Sequence, residues 1–173
     1  MDLLIVVDYQ NDFVNGALGF DGAELLDGKI SRKIEEYHKN GSHVIFTLDT
    51  HGENYLETQE GRRLPVKHCI KGSEGHKLFG KTAEAACKND VFFEKTGFPS
   101  LDMANYLMNK SYDRIEIVGL VSNICVISNA IMAKAALPEA EIIVDASYTD
   151  SFDKTLNEKC FDILEGLQIT VIR

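Results

Sequence analysis

Short apolar runs alternate with amphipathic stretches along this chain, which is the pattern of an α/β protein. Five runs are predicted to be strands: residues 3–7, 43–48, 91–93, 115–118 and 141–144. The first is continuously apolar, as in a strand buried on both faces of a parallel sheet. A sixth segment, 167–171, alternates apolar and polar residues as a half-exposed edge strand does. Helical patterns fall between the strands, at 25–37, about 74–87, 101–108, 123–136 and 152–164. This alternation predicts a doubly wound sheet with helices on both faces.

Two segments stand out within this pattern. A helix is predicted after the fourth strand, because Ile124, Ile127, Ile131 and Ala135 recur at helical spacing. Residues 50–73, in contrast, show no clear period. A long irregular stretch inside a compact domain is usually functional, so we expect part of the site there.

Length and charge restrict the class of protein. With 173 residues, the chain is expected to form a single domain spanning 1–173. The formal net charge of −9 disfavours nucleic acid and anionic membranes as partners, since both bind basic faces. No segment reaches the ~20 apolar residues of a membrane span, and the N-terminus lacks the features of a signal peptide. We therefore expect a cytoplasmic protein whose four cysteines are reduced thiols: Cys69, Cys87, Cys125 and Cys160.

Polar residues that could take part in catalysis come directly after four of the strands. They are Asp8, Asp49, Lys95 and Cys125. Ligands of such sheets bind at the carboxyl ends of the strands, so residues that follow these ends should lie close together at one edge of the sheet. A carboxylate can accept the thiol proton, an ammonium can stabilise the thiolate, and the cysteine can then attack a carbonyl carbon. The turn at 119–126 should also lower the thiol pKa and supply N–H groups to an oxyanion. Taken singly, each residue also fits a helix cap or simple packing.

A second group points to a metal. Asp49 and His51 can share one face of an extended segment, and His68 could complete the set. One carboxylate and two imidazoles commonly bind a divalent cation, although the spacing alone also fits a turn cap and a solvated histidine. Glu57 and Glu60 lie in the same loop and are either a further ligand or surface charge. The remaining histidines lie at element boundaries and give no metal signal: His38, His43 and His76.

Together these residues resemble the isochorismatase-like cysteine hydrolases, and within them the nicotinamidase/pyrazinamidase branch. Residues 8–13 resemble the family's opening D-x-Q-N-D-F motif. Residues 49–51 and 64–69 resemble its metal segments, a D-x-H and a W-P-x-H-C. Residues 119–126 resemble G-V-A-T-D-Y-C-V, which carries the nucleophile, and Lys95 falls where the family places its catalytic lysine.

The resemblance implies a fold and a reaction. The fold is a six-stranded parallel sheet in the order 3-2-1-4-5-6, and the family commonly forms dimers or tetramers. In the reaction the thiolate of Cys125 attacks an amide carbon, ammonia leaves and water hydrolyses the thioester. Asp8 acts as general base and then as acid, while Lys95 stabilises the thiolate. Backbone N–H groups of Val121 and Cys125 would form the oxyanion hole, after a cis peptide bond between Leu120 and Val121.

The resemblance also implies a cofactor and a pocket. A divalent metal, zinc first with iron or manganese as alternatives, would be held by four residues: Asp49, His51, His68 and Glu60. In nicotinamidases the metal holds the pyridine nitrogen of the substrate. Phe13 is expected to line the pocket with Leu64, which stands where nicotinamidases usually have Trp.

The first functional hypothesis is therefore a metal-dependent cysteine amidohydrolase acting on a small carboxamide, with nicotinamide the leading candidate. One alternative keeps the Asp8, Lys95 and Cys125 set but acts without metal on another amide, such as an N-carbamoyl compound. Another is a binding protein that has lost turnover. The chain leaves the family pattern at Leu64, at residues 96–100 and at 123–124, which are the places where specificity would change.

Overall fold

A six-stranded parallel sheet forms the centre of the protein in a computed structural model that describes all 173 residues. The strands are β1 (Asp2–Val7), β2 (His43–Asp49), β3 (Val91–Lys95), β4 (Arg114–Leu120), β5 (Glu141–Asp150) and β6 (Thr170–Ile172). They pair in the order β3-β2-β1-β4-β5-β6, and every pair is parallel. The predicted doubly wound fold and its strand order are both confirmed.

Seven α-helices connect the strands. They are α1 (Asn11–Val14), α2 (Asp27–Lys39), α3 (Gln59–Arg63), α4 (Gly80–Ala85), α5 (Leu101–Leu107), α6 (Ile127–Ala136) and α7 (Lys154–Gly166). Single helical turns cover 23–26, 55–57 and 122–126, the last with π-helical geometry. The helix expected at about 74–87 is limited to α4, and the irregular stretch at 50–73 contains only α3 and one 3₁₀ turn. None of these helices combines the length and apolarity that crossing a membrane requires.

The alternation of side chains along β1 creates two cores, one on each face of the sheet. Leu3, Ile5 and Val7 point into a cluster that includes residues of α5, α6 and α7. Leu4 and Val6 point the opposite way, into a cluster that includes the apolar stripe of α2. A strand covered on both faces needs apolar residues at every position, which explains the continuous run in the sequence.

The predicted helix after β4 is present as α6, but its buried face does not follow the four periodic apolar residues. Ile131 is 42% exposed and Ala135 is also exposed, whereas Asn129, Ala130 and Ala133 are fully buried. Apolar residues occupy most of the circumference of this helix, so their spacing does not identify the buried side. The face that packs is the one with small residues, which let the helix approach its neighbours closely.

A buried ion pair joins α2 to β4. The Glu116 carboxylate pairs with the Lys33 ammonium and accepts a hydrogen bond of 2.9 Å from the Tyr37 hydroxyl. The side chains of Lys33 and Glu116 are only 13% and 4% exposed. Lys33 Nζ also lies 3.8 Å from the centre of the Tyr148 ring. Glu116, a charged residue among the apolar residues of β4, is therefore an anchor for α2.

Replacing Glu116 with Ala should lower the free energy of unfolding by about 3 kcal/mol, because it leaves the Lys33 ammonium largely buried without a counter-ion. Urea denaturation followed by circular dichroism measures the change. Glu158→Ala is the matched control, since Glu158 pairs with Arg173 at an exposed site and such pairs contribute at most about 1 kcal/mol. Equal losses in the two variants would contradict the anchoring role.

Candidate active site

The strand order brings the four strand-end residues to one edge of the sheet. Lys95 ends β3, and its register partner on β2 is Asp49. Asp8 follows β1, and Cys125 lies in the π-helical turn after β4. Because β3, β2, β1 and β4 are neighbours in the sheet, residues far apart in sequence converge here.

The Lys95 ammonium lies at the centre of this group. Its Nζ is 2.6 Å from Asp8 Oδ2, 3.5 Å from Asp49 Oδ1 and 3.6 Å from Cys125 Sγ. The other Asp8 oxygen, Oδ1, accepts a hydrogen bond of 2.7 Å from the Thr47 hydroxyl. All five residues are buried. The Lys95 ammonium is therefore the shared counter-ion of two carboxylates and of a potential thiolate, in a site shielded from bulk water.

The electrostatics of the group keep Cys125 as a thiol and Lys95 as an ammonium. Burial raises the pKa of Cys125 well above its ordinary value, and the negative charge of Asp8 raises it further while Lys95 opposes both. Burial acts to lower the pKa of Lys95, but the charge of Asp8, that of Cys125 when it is ionised, and that of Asp49 outweigh it and raise that pKa overall. Burial likewise raises the pKa of Asp8, against the charge of Lys95. The sequence-based expectation of a lowered thiol pKa is corrected, since full burial beside carboxylates exceeds the effect of the turn.

The turn that carries Cys125 leaves one backbone N–H without a partner. The Leu120–Val121 peptide bond is cis, as the family resemblance implies. The N–H groups of Ile124 and Val126 both donate to the Val121 carbonyl at 3.1 Å, whereas the N–H of Val121 has no acceptor within the chain. Gly119 is required just before the turn, because a Cβ there would lie 2.1 Å from the carbonyl oxygen of Val7.

Asn129 holds this turn in place. Its amide nitrogen donates to the Cys125 carbonyl at 2.8 Å and to the Phe98 carbonyl at 3.1 Å. Its amide oxygen accepts the N–H of Ser100 at 2.9 Å. A fully buried polar side chain thus ties the nucleophile turn to the loop at 96–100. The interpretation of the sequence missed Asn129, although a lone amide in an apolar helix was a usable signal.

Asp49, His51 and His68 form the candidate metal site. Asp49 Oδ2 is 2.9 Å from His51 Nε2 and 3.3 Å from His68 Nε2, and the three donor atoms lie within 4.8 Å of one another. Glu60 Oε1 is 3.8 Å from both imidazole nitrogens, whereas Glu57 is exposed on its 3₁₀ turn. Two imidazole nitrogens and a buried carboxylate that converge on one point are a donor set that fits a divalent cation.

The charge state and orientation of this set also suit a cation. Burial acts to raise the pKa of Asp49, but hydrogen bonds from His51 and His68 and the charge of Lys95 lower it overall, so Asp49 is a carboxylate. His68 Nδ1 donates to the Val66 carbonyl at 2.8 Å, which orients the ring with Nε2 toward Asp49. Such hydrogen bonds from the far side of an imidazole are typical of metal sites.

Tyr55 supports both imidazoles and was not identified from the sequence. Its ring centre lies 4.6 Å from that of His51 and 4.9 Å from that of His68. Its hydroxyl donates to the Leu64 carbonyl at 2.9 Å. Tyr55 is completely buried although its segment has no hydrophobic period, so no pattern in the sequence indicated its role.

The Gln10 side chain fixes the end of β2. Its amide oxygen accepts the N–H of Asp49 at 2.8 Å, and its amide nitrogen donates to the Asp49 carbonyl at 2.9 Å. The same nitrogen donates to the His76 carbonyl at 2.8 Å. Gln10 therefore pairs with the backbone of Asp49 as a neighbouring strand would, and it joins the loop at 76 to the sheet.

Asp12 performs the same task for the segment that carries His68. Its Oδ2 accepts the N–H of Cys69 at 2.7 Å, and its Oδ1 accepts the N–H of Ala17 at 3.2 Å. The loop approaches so closely at Gly75 that a Cβ there would lie 1.9 Å from Asp12 Oδ2. The sequence identified residues 10–12 only as part of the opening motif, whereas the structure shows that Asp12 fastens the segment that carries His68.

A cavity of about 390 Å³ connects the two groups. Cys125 and Val121 line it at one side, and Asp49, Glu60 and His68 form its polar end. Its apolar wall is formed by Phe13, Leu64, Phe98, Ile124 and Phe152. Phe13 and Leu64, the two residues expected to line a pocket, lie in this wall. Phe98, from the segment that departs from the family pattern, was not identified.

Comparison with known proteins agrees with this geometry. The family model described as the isochorismatase domain matches residues 2–172. The nicotinamidase/pyrazinamidase of Mycobacterium tuberculosis is 28% identical over 174 aligned positions, which cover 90% of this chain and 91% of that protein.

Solved structures share the fold over nearly the whole length. The crystal structure of the nicotinamidase/pyrazinamidase PncA from Bacillus subtilis superposes with a TM-score of 0.87 at 26% identity, covering 99% of each chain. The pyrazinamidase of Pyrococcus horikoshii, crystallised in complex with zinc, gives a TM-score of 0.87 at 22% identity and covers 99% of this chain and 98% of its own.

Replacing Asp12 with Asn should loosen the loop that carries His68. Asn offers only one acceptor, so one of the two N–H groups now held by the carboxylate faces an NH₂ group. We expect the free energy of unfolding to fall by about 1–2 kcal/mol, and amide hydrogen exchange at Cys69 to accelerate. Asp21→Asn is the control, because Asp21 is exposed, and its change should be within about 0.5 kcal/mol. Unchanged exchange at Cys69 would show that Asp12 does not hold the loop.

Proposed function

This chain belongs to the isochorismatase domain family, and on that premise we propose that it is a metal-dependent cysteine amidohydrolase that releases ammonia from a small carboxamide, with nicotinamide the leading substrate. The observation that carries the proposal is the contact of Lys95 with both Asp8 and Cys125 beside a cavity that ends at Asp49 and His68. The names of the similar proteins, nicotinamidase and pyrazinamidase, support the same activity. We also propose that residues 1–173 act as one domain in a homo-oligomer, as the family resemblance implies.

The nucleophile is generated by proton transfer from Cys125 to Asp8. Burial disfavours a free thiolate, so the ion forms only when Lys95 can stabilise it and a carbonyl carbon is in place. A thiol of high pKa gives a strongly nucleophilic thiolate, so the raised pKa favours the attack once the proton has moved. The attack forms a bond between Cys125 Sγ and the amide carbon.

The charge that develops on the carbonyl oxygen needs hydrogen-bond donors. The backbone N–H of Val121 and that of Cys125 are the proposed oxyanion hole, and the Val121 N–H has no competing acceptor in the chain. Asp8 then returns its proton to the nitrogen, so the C–N bond breaks and ammonia leaves. In the second half Asp8 takes a proton from water and the oxygen attacks the thioester. Asp8 returns that proton to sulfur as the C–S bond breaks, so Cys125 leaves as the thiol.

The cation would be held by Asp49, His51 and His68, with Glu60 as a fourth ligand because its carboxylate oxygen is 3.8 Å from both imidazole nitrogens. When bound it would supply a Lewis acid at the polar end of the cavity, able to hold a basic ring nitrogen of the substrate. Two imidazoles and carboxylates suit zinc, and iron or manganese are the alternatives. The zinc bound by the Pyrococcus horikoshii pyrazinamidase supports the first choice.

The cavity restricts the substrate by its shape and polarity. A volume of about 390 Å³ is at the small end for ligand sites, which typically span about 300–1,000 Å³, so a single ring fits better than a large substrate. Phe13 and Leu64 offer apolar surface to the faces of such a ring, and Cys125 lies where its carboxamide would be attacked. The buried donor set is what favours this reading over an amidase that works without metal.

Replacing Cys125 with Ala should reduce ammonia release from nicotinamide at least about a thousandfold, because the residue that forms the covalent bond is removed. Ammonia is measured with a panel of nicotinamide, pyrazinamide and an N-carbamoyl amino acid. Cys87→Ser, at an exposed cysteine outside the site, should retain the parent rate. An active Cys125→Ala variant would refute the nucleophile. If only the N-carbamoyl compound were hydrolysed, it would replace nicotinamide as the proposed substrate. If no compound were hydrolysed, a binding protein would be favoured.

Removal of bound metal should reduce ammonia release at least about tenfold, and return of zinc, iron or manganese should restore it. Metal content is measured by mass spectrometry before and after treatment with a chelator. Glu60→Gln should weaken zinc affinity about tenfold, whereas Glu57→Gln, at an exposed residue of the same loop, should leave it unchanged. Full activity in a metal-stripped protein would show that the reaction does not need the cation.

A further inference from the structure

A second cluster of potential metal ligands lies at the opposite end of the sheet, where β3 begins. His38 is in the last turn of α2, Cys87 follows α4, and Asp90 directly precedes β3. Asp90 is separated from Lys95 by the length of β3, roughly 16 Å for an extended strand, so this cluster is distinct from the active site. No metal signal for His38 was visible in the sequence, because 49 positions separate it from Cys87.

The three donor atoms have the spacing of a tetrahedral coordination shell. Cys87 Sγ lies 3.7 Å from His38 Nε2 and 3.4 Å from Asp90 Oδ1, and the Nε2–Oδ1 distance is 2.7 Å. Zinc bonds of about 2.0–2.3 Å at tetrahedral angles place such atoms roughly 3.3–3.6 Å apart. The two distances that include sulfur already match these values. Only the nitrogen–oxygen distance would have to increase, by roughly half an ångström.

The same geometry argues against a second catalytic triad. In a proton relay the imidazole contacts the nucleophile with one nitrogen and the carboxylate with the other. Here Cys87 and Asp90 both face Nε2 of His38, so the ring cannot pass a proton from one to the other. Three donors that converge on one point are instead the arrangement of ligands around an ion.

The surroundings fix the carboxylate and leave one side open. The Asp90 side chain is 3% exposed, and its Oδ2 accepts the backbone N–H of Cys87 at 2.7 Å. That hydrogen bond orients Oδ1 toward the other two donors. His38 is 26% exposed in its side chain and Cys87 is exposed, so an ion can enter and water can complete its coordination.

We propose that His38, Cys87 and Asp90 form a second divalent-metal site, and that its ion is zinc. A thiolate, an imidazole and a carboxylate are together a typical zinc donor set. The site would join the end of α2 to the chain between α4 and β3. Asp27 already makes the corresponding link at the start of α2, where its carboxylate accepts the N–H groups of Lys81 and Thr82 at 2.9 and 2.8 Å. The role is therefore structural.

Zinc content of the full-length protein tests this site. Cys87→Ser and Asp90→Asn should each bind about one zinc ion fewer per chain than the parent while ammonia release is unchanged. With cobalt(II) in place of zinc, the parent should show a thiolate-to-cobalt absorption band that Cys87→Ser lacks and Cys160→Ser keeps. Because the readout is the difference between parent and variant, it does not depend on the active-site metal.

His68→Ala separates the two sites, since it should remove the active-site ion and leave the cobalt–thiolate band intact. Equal zinc content in the parent and both cluster variants would overturn the proposal, as would a parent without the cobalt–thiolate band. Cys87 is exposed, so Cys87→Ser is expected to fold, and a circular dichroism spectrum equal to that of the parent verifies it.

Discussion

The ammonium of Lys95 is the interaction on which the site depends. It lies within 3.6 Å of two carboxylates and a thiol, all buried, and an uncompensated charge in such a place costs several kcal/mol. Lys95 can reach these groups only because β3 is two strands away from β1 and ends at the same level. The order β3-β2-β1-β4 is therefore also what places this cation beside the two carboxylates and the thiol.

Asp49 links the nucleophile to the candidate metal site. Its Oδ1 faces Lys95 at 3.5 Å, while its Oδ2 faces His51 at 2.9 Å and His68 at 3.3 Å. Charge placed among the imidazoles is therefore felt by the same ammonium that is proposed to stabilise the Cys125 thiolate. The two halves of the site form one electrostatic network, so a substitution at Asp49 is expected to disturb both.

The sequence predicted what depends on local pattern and on strand ends. Continuous apolar runs located the strands, and their ends placed Asp8, Asp49, Lys95 and Cys125 at one edge. The inner face of α6 could not be predicted, because a helix rich in small apolar residues has no distinctive period. The pKa of Cys125 was predicted with the wrong sign, since it is set by burial that only the tertiary structure creates. Clusters assembled from distant segments, such as His38 with Cys87, left no pattern at all.

Chemistry and specificity come from different parts of this fold. The groups proposed to form and break bonds lie at strand ends and on the turn after β4, where pairing and Asn129 fix them. The apolar wall of the cavity is built by connecting segments, through Leu64, Phe98 and Ile124. These are also the positions where the chain departs from the nicotinamidase pattern. A change of substrate can therefore arise in the loops while the Asp8, Lys95 and Cys125 geometry stays constant, because Phe98 and Ile124 support that group through backbone atoms and leave their side chains to the wall.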